Sequence, residues 1–331
     1  MSSRFIAFIS IAWSWLFLVA LLVFFEVWAR AAYDLSFVLN PHNLQSIAVT
    51  TALPLLLGLG QTFVIIAGGI DLSVGFVMGL TAVVMARTMQ STPEDAALLG
   101  LGAGLGAAFA VSLIPGFING VMISRLQVPA FIGTLGMYGV ARGSGFLVAN
   151  GTTVPVSNAA LFEMGNGRLW GVPIPVVITI AVVFAMHYLL SQTRFGQYTY
   201  AVGGNRQAAI RAGINVRRHT VMIYLIAAVC AAIAGMIYTA RFSAGAAQAG
   251  EPLLLDSIAA VVIGGASLFG GSGTIVGTVV GALIIAVIQY GLVFIDVEPF
   301  WQFIAVGLVI VISVLIDQSR ERVTGAVRDG E

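Results

Sequence analysis

The densest chemistry in this sequence lies in Ala67-Gly68-Gly69-Ile70-Asp71-Leu72-Ser73-Val74-Gly75, where a carboxylate stands beside paired glycines between two apolar runs. A buried Asp71 is expensive without partners, so it must either contact a substrate or ion or be satisfied by backbone amides or an arginine. The preferred reading makes Asp71 the N-cap of a helix beginning here, with Gly68 and Gly69 forming the tight turn before it and Ser73 completing the cap. A second element, Ile263-Gly264-Gly265-Ala266-Ser267-Leu268-Phe269-Gly270-Gly271-Ser272-Gly273, sits between two later apolar runs. Aligning Gly68-Gly69-Ile70-Asp71-Leu72 with Gly264-Gly265-Ala266-Ser267-Leu268 predicts an internal duplication, with broken helices at a functional interface.

Catalytic chemistry finds little support. Neither glycine element carries the lysine of a phosphate-binding loop, and the chain has no lysine at all. No HExxH or CxxC pattern occurs, and His42, His187 and His219 are scattered at the margins of apolar runs. Cys230, the sole cysteine, can form neither an intramolecular disulfide nor a thiolate metal cluster and is read as a small buried hydrophobe. No metal site is expected, and nucleotide chemistry would have to come from a partner.

The elements that position these groups are membrane helices. Of 331 residues 59% are hydrophobic and only 9% charged, too few charges for the surface of a soluble domain of this size. Clear spans are predicted over 11–29, 45–66, 71–89, 96–118, 172–190, 219–240, 275–295 and 300–317, with glycine-rich or short ones over 129–148 and 254–268. The first run is read as a retained span rather than a signal peptide, since no persuasive cleavage site precedes Glu26, Trp28 and Arg30. The fold class is therefore an all-α polytopic membrane protein of about ten transmembrane helices, a single domain over 1–331. With both termini cytoplasmic, Arg4, Arg125, Arg194, Arg206, Arg211, Arg217, Arg218, Arg320, Arg322 and Arg328 fall inside, against Arg30, Arg87, Arg168 and Arg241 outside. The acids Asp34, Glu94, Asp95, Glu163, Glu251, Asp296 and Glu298 also fall outside. Dropping one weak span would place the Arg194–Arg218 loop and the C-terminal arginines on opposite faces.

The cytoplasmic loop over 191–218 has more structure than topology requires. Asn205 is placed to cap a short helix through Arg211, and Gly213 to stop it, so that Ala208, Ala209 and Ile210 are displayed between Arg206 and Arg211. Such a helix, held at a fixed distance from the membrane, can transmit force from a cytoplasmic partner.

Together with Pro129-Ala130-Phe131-Ile132-Gly133-Thr134-Leu135-Gly136 and Arg142-Gly143, these motifs resemble the membrane permease subunits of bacterial ABC sugar importers of the ribose, xylose and arabinose type, from about residue 40 to residue 318. The resemblance implies a multi-pass protein of the bacterial cytoplasmic (inner) membrane, embedded in lipid and paired with a second permease copy or a paralogue. Its other implied partners are two cytoplasmic ATPase subunits, which hold ATP and Mg2+, and an extracytoplasmic sugar-binding protein. It also implies that the chain binds no cofactor or nucleic acid, has no catalytic activity of its own, and couples to the ATPase through Asn205, Arg206, Ala209, Ile210, Arg211 and Gly213.

On that resemblance a shallow polar passage for a monosaccharide or polyol is expected. Gln61, Thr62, Asn119, Thr134, Asn150 and Gln289 are its candidate lining because they bring hydrogen-bonding capacity to apolar runs. Arg142 is expected to anchor a helix end in preference to a pathway role. An ion-coupled secondary transporter needs a buried coupling site, whereas the internal acids Asp71 and Asp256 are both assignable to helix ends. A structural membrane protein would leave the 205–213 helix without a purpose.

Overall fold

The computed structural model describes residues 3–93, 95–298, 300–309 and 311–312, with side chains described from Trp13 onward. Arg320, Arg322, Arg328, Glu94, the side chain of Arg4 and the last part of the predicted 300–317 span lie outside the described residues.

The helices are α1 (Ser3–Tyr33), α2 (Pro41–Ile66), α3 (Val74–Gln90), α4 (Ala97–Ser124), α5 (Ala130–Ala149), α6 (Ala159–Asn166) and α7 (Ile174–Ser191). They continue with α8 (Arg194–Gly204), α9 (Arg206–Arg211), α10 (Val216–Phe242), α11 (Glu251–Ile263), α12 (Ile275–Phe294) and α13 (Phe300–Val309). Two short antiparallel pairs complete the described structure: β1 (Val154–Pro155) with β4 (Ala244–Gly245), and β2 (Arg168–Leu169) with β3 (Val172–Pro173). Among the described residues six helices are long and apolar enough to cross a membrane: Trp13–Tyr33 of α1, and α2, α4, α7, α10 and α12. The most apolar stretches of α2, α10 and α12 are 83%, 61% and 67% buried, against 17–22% for those of α1, α4 and α7, so the first three form the centre and the others the rim.

Loops gather at two ends of this bundle. At one, β1 pairs with β4, Arg87 donates to the Val148 carbonyl (2.9 Å), and Tyr290 donates to Asn43 (2.8 Å). At the other, which holds α9, the amide of Gly271 donates to the Ile66 carbonyl (2.8 Å) and Tyr200 to that of Gly273 (2.8 Å). Arg125, Arg217 and Arg218 line one groove at the α9 end.

Several boundaries differ from expectation for local reasons. Helix α2 ends in a Schellman turn: Gly68 (φ +80°) donates to Ile65 and Gly69 to Val64. Helix α11 ends the same way, with Gly265 (φ +90°) donating to Val262 and Ala266 to Val261, which stops it before the predicted limit of 268. The structural equivalent of Gly68 is therefore Gly265, one residue later than the alignment of Gly68 with Gly264.

The segment after α10 is irregular. Ser243 adopts a left-handed conformation (φ 48°) and ends the helix, and residues 244–250 then run non-helically down α3. They pass Ala82 at Gly245, Gly79 at Ala247 and Gly75 at Gly250, where a Cβ on Gly75 would overlap the Gly250 carbonyl. Backbone outside a helix is tolerated at membrane depth only when protein or water covers it. Gly245, Ala246, Ala247 and Gly250 are buried accordingly.

Candidate functional site

The break between α2 and α3 is held by a buried polar network. The side-chain amide of Gln61 donates to the Asp71 carbonyl, and the Asp71 amide lies 3.4 Å from Gln61 Oε1. Asp71 Oδ1 accepts from the amide (2.8 Å) and hydroxyl (2.6 Å) of Ser73, Asn119 donates to Ser73 Oγ (2.9 Å), and Thr134 donates to the Ile70 carbonyl (3.2 Å). All five side-chain partners are at most 2% exposed. The N-cap position of α3 belongs to Ser73, so Asp71 acts from two residues upstream by fixing Ser73 and is not itself the cap.

This geometry revises the expected pathway lining. Gln61, Asn119 and Thr134 are spent on the break, and Thr62 meets Thr278 of α12 at 2.7 Å inside the core. Gln289 donates to Asp256 (2.9 Å) between α12 and α11, which places Asp256 within α11 and not at its end. Asn150 (φ 55°) is the left-handed stop of α5, donating to Leu147 while Gly151 donates to Phe146. Asparagine tolerates that conformation through local hydrogen bonding. Five of the six side chains have a partner inside the bundle, although Asn119 Oδ1 is left without one, and the exposed Asn150 acts through its backbone.

At the α9 end, Asn205 caps α9 by accepting from the Ala208 amide (2.9 Å). Gly213 (φ +83°) closes it, donating to Ile210 while Ile214 donates to Ala209. Arg206, Ile210 and Arg211 are exposed, but Ala209 is not displayed: it is buried with Val202 and Val216, because a single turn can present only one face outward. Helix α8 carries α9 and is fastened to α10 by Thr199, 3.0 Å from His219 Nε2, and by the Phe195 ring, tilted against the His219 ring with centroids 4.5 Å apart.

The end of α8 wedges between the two helix breaks. A Cβ on Gly203 would overlap the Ile66 carbonyl oxygen, the same oxygen that accepts from Gly271. Gly270 (φ +90°) lies against Gly203 and Gly68, and Gly271 (φ +78°) against Gly204. Partial burial pushes the Tyr200 phenol up from its usual range, and its hydroxyl donates to the Gly273 carbonyl. Gly69 packs beside Tyr224, and Gly264 against the backbone of Gly277. These contacts link the α9 segment directly to both breaks.

Arg142 does not anchor the outer end of α5. Its guanidinium lies over the Phe76 ring, 5.3 Å from the centroid, while Tyr138 meets the same ring edge-on at 4.6 Å. Its side chain is exposed in the single chain, a placement that residue spacing could not reveal.

Residues 43–314 match a family model described as branched-chain amino acid transport system / permease component. The chain is 39% identical over 312 residues to the ribose import permease protein RbsC of Escherichia coli K12, covering 92% of this chain and 93% of that one. It is 38% identical to RbsC of Bacillus subtilis (85% and 86% covered) and 38% identical to the fructose import permease protein FrcC of Rhizobium meliloti (80% and 74% covered). No solved structure matches the chain significantly.

Proposed function

This chain belongs to the branched-chain amino acid transport system / permease component family, and from that premise we propose that it is the transmembrane permease subunit of an ATP-driven, binding-protein-dependent importer of a monosaccharide or related polyol. It is a multi-pass protein of the bacterial cytoplasmic membrane. Ten spans with both termini cytoplasmic is the topology that best fits the arginines, since the α9 end carries Arg125, Arg194, Arg206, Arg211, Arg217 and Arg218. The matching Schellman stops at Gly68 and Gly265 support two related halves.

The observation that carries the mechanism is the wedge of Gly203 and Gly204 between the helix breaks. Partner ATPase subunits hold ATP and Mg2+, and closure of their dimer displaces α9 through exposed Arg206, Ile210 and Arg211. Because α8 continues into α9, that displacement moves Gly203 against Ile66 and Gly271, shifting the ends of α2 and α11 together. A two-position element biased by a partner is what alternating access requires. Sugar arrives from an extracytoplasmic binding protein and leaves unchanged, so this subunit performs no catalysis and needs no cofactor of its own.

An ion-coupled carrier is the weaker reading because Asp71 is engaged by Ser73 and Asp256 by Gln289. Reconstitution with the cognate ATPase and binding protein tests the choice. Uptake of labelled D-ribose, D-fructose or D-allose should require both ATP and the ATPase; uptake that persists without the ATPase overturns the assignment.

A further inference from the structure

Between α5 and the start of α11 the described surface carries a polar patch. Gln248 and Glu251, at the start of α11, are exposed, as is Arg142 of α5. Tyr138 links the two helices: its hydroxyl is 3.5 Å from Glu251 Oε1, and its ring packs edge-on with Phe76, over which the Arg142 guanidinium lies. Among the described residues neither Arg142 nor Glu251 has an ion-pair partner.

Depth follows from packing levels. The bonds between Gln61 and Asp71 set the start of α3 level with Gln61, about 7.5 Å inside the α9 end of α2 at 1.5 Å per residue. Gly250 packs on Gly75, beyond Asp71, and Thr134 sits level with Ile70 one helical turn below Tyr138. Helix α2 is about 39 Å long on the same rise, so Glu251, Tyr138 and the Arg142 guanidinium all lie within the hydrocarbon span, well away from either surface. A carboxylate, a guanidinium and an amide exposed together at that depth belong on a water-filled cavity.

The neighbouring surface agrees. Gly136, Gly139 and Gly143 of α5 are exposed, and a Cβ on any of them would meet open space, so these glycines are not used for packing within this chain. They leave a stripe without side chains on the helix that carries Tyr138 and Arg142.

We propose that Tyr138, Arg142, Gln248 and Glu251 form the wall along which the sugar passes, with a second copy of the chain or a paralogue supplying the opposite wall. Sugar hydroxyls exchange water for the Arg142 donors and the Glu251 and Gln248 acceptors, while the Tyr138 ring offers a face to the C–H side of the sugar. These contacts are few and partly solvated, which suits passage over retention. The sugar assignment rests on the importer reading above; the presence of water at this wall does not.

The two parts are tested separately on the full transporter, reconstituted with its ATPase and binding protein. Cys230 is fully buried, so single cysteines can be introduced in an otherwise unreactive chain. Gln248→Cys should react with a charged, membrane-impermeant thiol reagent at least about tenfold faster than Phe184→Cys, an exposed position on the rim helix α7, because thiolate formation needs water. Equal reactivity overturns the wall. Glu251→Gln and Arg142→Gln, compared at equal membrane abundance, should cut uptake by about tenfold or more for whichever of D-ribose, D-fructose and D-allose the parent carries. Parent-like uptake in both variants overturns the sugar contacts. If the parent carries sugar without its ATPase, the importer reading falls while the labelling result still decides the wall.

Discussion

The amide of Gly271 donates to the carbonyl of Ile66 over 2.8 Å, joining the break after α11 to the break after α2, and Gly203 presses its Cα against that same oxygen. The first prediction follows from this crowding. Gly203→Ala must push the three segments apart and should destabilise the protein by about 1–3 kcal/mol, as overpacking does. Gly204→Ala, where the added methyl meets open space, should be neutral or slightly stabilising because alanine is the better helix former. Thermal unfolding in detergent separates them, and similar melting temperatures for both variants would contradict the wedge.

The two faces of α9 give a second test. Ala209→Asp places a charge among Val202 and Val216 and should lower membrane abundance. Ile210→Asp, on the exposed face, should leave abundance intact while reducing co-purification of the ATPase subunit. Asn205→Ala removes the cap and should cost about 0.5–2 kcal/mol locally, seen as less sugar carried per ATP hydrolysed. Normal co-purification with Ile210→Asp would remove the coupling role from this face.

How legible these features are in sequence depends on how local their causes are. The span of α9 is legible because Asn205 and Gly213 act within a single turn, through an N-cap and a left-handed stop. Its orientation is not, since Ala208-Ala209-Ile210 is apolar throughout and contacts from Val202 and Val216 choose which residue turns inward. A polar residue in an apolar run has two destinations, a water-filled passage or an internal partner, and spacing does not separate them. Gln61 therefore reads as lining although it serves Asp71. The exposed group at Glu251 is hidden for the opposite reason: its depth is set by how residues 244–250 descend along Gly79 and Gly75, a tertiary relationship that hydropathy places in an outer loop.

Thr62 and Thr278 share a hydroxyl–hydroxyl hydrogen bond at 2.7 Å between α2 and α12, one hydroxyl donating to the other, and each hydroxyl also lies within reach of a carbonyl of its own helix, Gly58 for Thr62 and Thr274 for Thr278. Thr62→Val and Thr278→Val should each cost about 0.5–1.5 kcal/mol, because each removes the buried hydroxyl–hydroxyl bond while the remaining threonine keeps only its own-helix carbonyl as partner. The double variant should cost less than the sum, giving a coupling of about 1 kcal/mol in a thermodynamic cycle. Strict additivity would show that the contact contributes nothing to stability.

Asp71 distinguishes a structural carboxylate from an ion-coupling one. Its Oδ1 accepts two bonds from Ser73, and Ser73 in turn accepts from Asn119, so the group sets the start of α3 relative to α4. Asp71→Asn retains an acceptor oxygen at the same position but removes the charge. If the role is to hold Ser73, the variant should lose about 1 kcal/mol or less of stability and keep ATP-dependent uptake within about tenfold of the parent. Asp71→Ala removes the acceptor as well, leaving the Ser73 amide and hydroxyl buried without it, and should cost about 1–3 kcal/mol. An ion-coupled carrier predicts the reverse order of importance, with charge removal alone abolishing transport in a normally folded protein. Measuring uptake and melting temperature on both variants therefore decides the matter: a fully folded Asp71→Asn that carries no sugar would move Asp71 from the scaffold to the transport chemistry.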